Sequence, residues 1–367
     1  MLCPMSLWAD ALQPRPQHDA LCASILAMAR AAGARLAVRD AADGFIRLAH
    51  PHRAQLQQRG EQFAEHVAIL LAAWRLAEAA PGGAALARLG AIATRAEERV
   101  LLCLCAAPEI DRAVARAFRN VAHPGTDLTI GAVLDLASTA ASSRVLLTGL
   151  YHPDAPLRRA ALITTDLGGA ALASMRLAIA PSVLAALRGE PIAAPDGVEP
   201  SWNAEDAAAA KVVARLGLVP PRPGTITILT GPRRATAATL RLLMLATGRA
   251  AWLMPGGVRF REAATDQAQW RGWARDAALA DGFFVADLGE LSVDDTTALA
   301  RVAATATGAT LVLTTEQPLA PAVGGPRQIV VACAALASIH AADGAPLTDG
   351  VGPGPLRRAL DALEAPT

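Results

Sequence analysis

"TITILTGPRRATAATLRLLML", residues Thr225 to Leu245, decides how the second half of this chain folds. An alternating apolar run, read as a strand, meets Gly231. It gives way at once to an Ala-, Leu- and Arg-rich run with helical character. Downstream the rhythm repeats. "AAWLMPGG", "DGFFVADLG", "GATLVLTTE" and "RQIVVACA" are short apolar runs, separated by "RFREAATDQAQWRGWARDAALA" and "SVDDTTALARVAATATG". Strands that are apolar nearly throughout must be covered on both faces, which predicts a parallel sheet with right-handed helical crossovers. An α/β domain is therefore expected over residues 224–367.

Working outward, "EPSWNAEDAAAAKVVARLGLVPPRPG" breaks the composition with Pro220, Pro221 and Pro223, and reads as a connector over 201–223. Residues 61–200 are mainly helical. "EQFAEHVAILLAAWRLAEAA" places Phe63, Val67, Leu70, Leu71, Trp74 and Ala77 at steps of three and four. "TRAEERVLLCLCAAPEI" opens with a capping-box pattern, Thr94 with Glu97. "DRAVARAFRNV" and "DLTIGAVLDLAS" read as further helices. "RVLLTGLYHPDAPLRRAALITTD" reads as strand-like and broken by prolines. Several helices followed by a short hairpin is the winged-helix pattern. In residues 1–60, Leu21, Ile25, Met28 and Ala32 share one helical face, and "QPRPQ" and "HPHRAQLQQRG" read as flanking linkers, so this segment is expected to be a loosely attached helix.

Composition narrows the function classes. With 53% hydrophobic but only 4% aromatic residues, the core must come from Leu, Val, Ile and Ala in many helices. A net charge of +1, from 34 basic and 33 acidic residues, argues against a broad electrostatic partner such as duplex DNA or an anionic membrane. The five cysteines, at 3, 22, 103, 105 and 333, form no disulfide framework. A zinc pair at Cys103 and Cys105 would need a second pair at ligand spacing, and none follows, so no metal is expected. No secretory leader or bilayer-spanning run is read, and a cytoplasmic protein is the expectation. His50, His52 and His66 read as surface or linker residues, and Trp202, Trp270 and Trp273 as packing anchors.

The strand–Gly–helix junction stands where a phosphate-binding loop, G-x-x-x-x-G-K-[ST], would lie. Laid on Gly231, that pattern puts Thr236 at the second glycine, Ala237 at the lysine and Ala238 at the hydroxyl. One charge-assisted contact is worth about 1.5–3 kcal/mol, so losing two of them and a glycine together removes most of the affinity. Arg233 and Arg234 are the cations that could substitute. Downstream, Asp287 ends a strand but Leu288 follows where a catalytic base would stand, with Glu290 two residues further on. Thr314, Thr315 and Glu316 end the next strand.

Taken together, "ATRAEERVLLCLCAAPEIDRAVARAF", "TDLTIGAVLDLAS" and "HPDAPLRRAALITTD", followed by "TGPRRATAATL", "FFVADLGEL" and "LVLTTEQP", resemble bacterial AAA+ proteins with an N-terminal winged-helix region. The resemblance spans roughly residues 61–335. It implies α/β plus mainly α architecture: a winged-helix region, then a P-loop, AAA+-like parallel-sheet domain lacking a full lid. It also implies a nucleotide site at Gly231, Arg233, Arg234, Thr236, Asp287 and Thr315, degenerate at Ala237, Ala238, Leu288 and Glu316.

Three readings stay open. The first is a catalytically silent adaptor or assembly partner, with no catalytic residue and no cofactor. Its protein partner would be an active AAA+ ATPase, or further copies of this chain in a ring. The second is a weak ATP- or ADP-binding ATPase using Arg233 or Arg234 with Asp287. The third is a DNA-binding regulator whose reader is "TIGAVLDLASTAASSR", which nucleic-acid charge requirements disfavour.

Overall fold

The computed structural model describes residues 15–43, 50–122, 128–138, 141–165, 174–193, 200–201, 206–222, 225–253, 264–287, 309–316, 328–333 and 355–364. The chain forms two compact units, Met1–Ile192 and Ala193–Thr367.

The first unit is built on α1 (Pro16–Asp43) and α2 (His50–Glu78). Leu21, Ile25, Met28, Ala29, Ala32 and Leu36 of α1 are buried, and α1 packs on α2, α4 (Ala96–Ile110), α5 (Arg112–Ala122) and α6 (Ile130–Ala137). The expected loosely attached helix is thus the central helix of the unit. "HPHRAQLQQRG" is the start of α2, not a linker: Pro51 sits in a first helical turn, where its missing N–H costs nothing. Trp74 is fully buried. Its Nε1 donates to Glu78 Oε1 at 2.6 Å, and the Arg99 guanidinium lies 5.3 Å above its ring. Arg99 also donates to the carbonyls of Ala93 (2.9 Å) and Gly90 (3.2 Å), which ties α3 (Ala84–Ile92) to α2 and α4.

The capping box opens one residue later than the Thr94/Glu97 pattern predicts. Arg95 is the cap, and Glu98 accepts its N–H at 3.0 Å. Glu98 is buried and Glu97 exposed, so burial sets the register. "RVLLTG" is corrected from strand to helix, as part of α7 (Ala141–Gly149); a short apolar run carries no period that separates the two. After the short α8 (Pro156–Arg159), β1 (Ile163–Thr165) pairs antiparallel with β2 (Leu177–Ile179). Thr129 bridges Arg176, extending the hairpin's sheet by one residue. Helix α9 (Pro181–Arg188) follows and returns to α1.

The second unit is the expected parallel sheet. Its strands are β3 (Pro200–Ser201), β4 (Ile226–Thr230), β5 (Ala251–Leu253), β6 (Phe283–Asp287), β7 (Thr310–Thr315) and β8 (Gln328–Ala332), in the order β3-β5-β6-β7-β4-β8. Five strands are mutually parallel and only β3 pairs antiparallel, with β5. Every residue of β4 is buried, as a central strand covered on both faces requires. Helix α11 (Arg233–Thr247) contributes Leu242, Leu243, Met244 and Leu245 to the core, and α12 (Ala264–Leu279) contributes Trp270 and Trp273. The expected connector is also corrected. Its helix α10 (Ala207–Arg215) is capped by Asp206, buries Ala209 and Val213 against α11, and belongs to the domain. Helix α13 (Pro355–Glu364) packs on the other end of that cluster through Ala359 and Leu360.

Candidate functional site

The strand order places a topological switch point in the second unit. After β4 the chain moves to β5, on one side of β7; after β7 it moves to β8, on the opposite side of β4. Adjacent parallel strands whose successors lie in opposite directions form a topological switch point, and ligands of open α/β sheets bind outside the carboxyl ends of such strands. All six predicted site residues, with Thr314 and Glu316, stand at the carboxyl ends of β4, β6 and β7 or in the first turn of α11.

Their geometry differs from a phosphate loop. Only Gly231 and Pro232 separate β4 from α11. Gly231 takes φ 135°, a conformation that favours glycine, and its N–H donates to the Thr315 carbonyl at 2.9 Å. Arg233, Arg234 and Thr236, expected in a wrapped loop, lie in α11 instead. The Thr236 N–H donates to the Pro232 carbonyl at 3.0 Å and its hydroxyl to the Arg233 carbonyl at 3.0 Å. Thr236 and Ala238 are buried, and Ala237 is exposed with no group to offer. The physical reason is the sequence: "RRATAAT" lacks the glycines a wrapped loop needs and is rich in good helix formers. Pro232, with φ −54°, stands at the helix cap, where proline is tolerated.

The acidic groups are engaged within the protein. The Thr314 hydroxyl donates to Asp287 Oδ1 at 3.3 Å, the two residues being register partners across β6 and β7. Glu316 Oε1 lies 3.4 Å from Arg233 Nε, with both side chains more than half exposed. This places a carboxylate beside the first turn of α11, where a phosphate would have to sit. Thr315 is buried and offers its carbonyl to Gly231. Thr239, one turn in, is buried and donates to the Ala235 carbonyl at 2.8 Å. It also bonds the Cys333 thiol, which burial pushes above its ordinary range despite that bond. Among the described residues no lysine, no free hydroxyl and no wrapped backbone faces the switch point, so these residues do not fit a magnesium nucleotide. Leu288, Glu290 and Trp202 lie outside the described residues.

In the first unit, the expected DNA reader is two consecutive helices. Ile130, Gly131, Ala132, Val133, Leu134 and Leu136 of α6 are buried, so α6 is packing. Helix α7, the second of the pair and the position of a reader helix, turns Val145 and Leu146 to solvent. Arg144 forms an ion pair with Asp135, which Arg39 also approaches at 3.4 Å. Arg35 reaches under the same corner, donating to the Leu136 carbonyl at 2.6 Å with its guanidinium 4.7 Å over the Phe63 ring. Burial and the neighbouring Arg39 hold its pKa down to about 10. The apolar exposure of Val145 and Leu146 was missed in the sequence because "RVLLTG" was read as strand.

Cys103 and Cys105 are free and fully buried, with burial pushing both thiols upward, Cys105 to about 12. Among the described residues no group of three or more His, Cys, Asp or Glu side chains is arranged to hold a metal ion.

Residues 19–192 match the family model for a winged helix domain, variant. The match covers most of the first unit and includes nearly all of α1. No curated protein and no solved structure matches the chain.

Proposed function

We propose that this protein is a non-catalytic adaptor, in which a winged-helix domain contacts a protein client and a P-loop-like α/β unit serves as scaffold. One observation carries this reading: the residues that would wrap a triphosphate lie in the first turn of α11, where the Thr236 N–H and hydroxyl are committed to the Pro232 and Arg233 carbonyls. Two further features support it. Asp287 and Arg233 have intramolecular partners at the switch point, and Glu316 sets a like charge against any phosphate. The strand order and the resemblance to AAA+ proteins support the scaffold's class, and the exposed Val145–Leu146 pair on α7 favours a protein over a duplex as client. The test is calorimetric titration of the full chain with ATP and magnesium, alongside a phosphate-release assay. No binding up to about 1 mM and no turnover are expected. Binding in the micromolar range (about −8 kcal/mol) with hydrolysis would overturn the reading.

The family match favours one second reading, a DNA-binding regulator that inserts α7 into the major groove. That reading requires phosphate contacts, and Arg144 and Arg39 share their charge with Asp135. A duplex gel shift whose affinity falls steeply with salt would establish it.

A further inference from the structure

Helix α2 carries a second apolar stripe, opposite the one that builds the core. Phe63, Leu70, Trp74 and Ala77 face inward and are buried. On the far side of the same helix lie Gln58, Glu65, Ile69, Ala72 and Leu76, spaced by seven, four, three and four residues. This is the spacing of a helix-pairing seam. Ile69 is 48% and Leu76 67% exposed, and Gln58, Glu65 and Ala72 are exposed as well. The stripe runs about 28 Å along the helix.

What covers it is indicated by charge. Glu65 lies on the stripe seven residues in from Gln58, and Arg75 borders it near the Leu76 end; among the described residues no side-chain partner is recorded for either. Two copies of α2 laid antiparallel, with Ile69 of each against Ala72 of the other, bring each Leu76 to the level of the other copy's Glu65. They also bring each Arg75 within one residue of it. Both charge pairs are made at once, because the pattern is its own complement under a two-fold axis, as an isologous interface demands. A parallel pair would set Glu65 against Glu65 and Arg75 against Arg75. We propose that α2 is the interface of an antiparallel homodimer, seamed by Ile69, Ala72 and Leu76 and registered by Glu65–Arg75 pairs. The seam is shorter than a standard interface, so the dimer forms with a Kd on the order of micromolar. This inference is independent of the adaptor reading.

Sedimentation velocity of the full chain from about 1 to 200 µM, a range bracketing a micromolar Kd, reads the equilibrium. Dimer formation is expected, weakened at least about tenfold by Glu65→Arg, by Arg75→Glu and by Leu76→Glu, since each turns an attractive contact into a repulsive one. All three side chains face solvent, so circular dichroism melts should match the wild type and separate loss of association from loss of fold. The decisive mixture is Glu65→Arg with Arg75→Glu. Each variant alone repels itself, whereas the heterodimer restores both opposite-charge pairs and regains wild-type affinity. A chain that stays monomeric throughout, a dimer indifferent to these substitutions, or a mixture no tighter than its components would overturn the proposal.

Discussion

Arg249 is the residue whose removal most directly tests the packing of the second unit. It follows the Gly248 cap of α11 and reaches across the amino ends of three neighbouring segments. Its Nε donates to the Asp281 carbonyl at 2.9 Å, Nη1 to the Pro221 carbonyl at 3.2 Å, and Nη2 to the Gly282 carbonyl at 3.4 Å and the Thr310 hydroxyl at 2.8 Å. Asp281 Oδ1 lies 3.1 Å from Nε, and the guanidinium stands 4.5 Å over the Phe283 ring. One planar fork thus joins the proline-rich segment before β4 to the starts of β6 and β7. Hydrogen bonds to a charged group are each worth about 1.5–3 kcal/mol net. The side chain is 16% exposed, so water can re-solvate part of what Arg249→Ala uncovers. Taking the lower figure for four bonds and halving it for that access gives about 3 kcal/mol. For a domain of this size that lowers the melting temperature by about 6–12 °C. Arg249→Lys keeps the charge but not the fork, and should lose more than half as much. Scanning calorimetry of the full chain reads both. An alanine variant within about 2 °C of wild type, or a lysine variant equal to it, would refute the reasoning, since the fork would then carry no weight.

Three further outcomes are expected. Gly189→Ala, at φ 67° with the new Cβ 2.7 Å from His18 Cγ, should destabilise the first unit by more than about 2 kcal/mol; Gly217→Ala, at φ 63° with no atom within 4 Å, should cost only the backbone term of about 1 kcal/mol, and urea unfolding of the pair separates clash from conformation. His18 is buried with Nε2 unpartnered, and burial, then Arg15, lower its pKa from 6.5 against a raising effect of Asp19. Its stabilising contribution is therefore complete above about pH 6.5 and is lost as the pH falls below that value, because only the unfolded chain takes the proton readily; His18→Leu should flatten the difference in melting temperature between pH 7 and pH 5. The Arg233–Glu316 pair is mostly exposed, so a double-mutant cycle should find less than about 0.5 kcal/mol of coupling between Arg233→Ala and Glu316→Ala; a larger value would mean a rigid, desolvated pair at the switch point.

The parallel sheet was legible because strands buried on both faces leave a signature: "GFFVAD" and "TLVL" are apolar nearly throughout. That Gly231, Asp287 and Thr315 stand at strand ends was legible, since the apolar runs stop at them. The conformation of the Gly231 turn was not. Motif alignment assumes that the loop's shape outlasts its residues, whereas shape and residues are lost together once the glycines go. The helices of the first unit show a different limit. Leu21, Ile25, Met28 and Ala32 were correctly placed on one face, but periodicity says which side of a helix is covered and not by what, so a central helix passed for a peripheral one. Arg249 and Glu98 carry no pattern at all; their roles depend on contacts across 61 residues in one case and on a one-residue shift of burial in the other.

The helical Gly231 junction also explains why scaffold and chemistry can part company in this fold. The sheet is held by buried Leu, Val, Ile and Phe, and none of that depends on what lies beyond the strand ends. A triphosphate loop is costly to keep in an empty protein, because it holds backbone N–H groups away from helical partners and needs glycine at strained positions. With Thr236 where that motif has its second glycine, and Arg and Ala around it, the helix begins directly after Pro232. Each turn gained supplies hydrogen bonds and removes donors from the site in the same step. A helix and a wrapped phosphate loop are therefore alternatives for the same residues at this junction. Building a phosphate loop here would require reopening α11, and not merely placing a lysine at position 237.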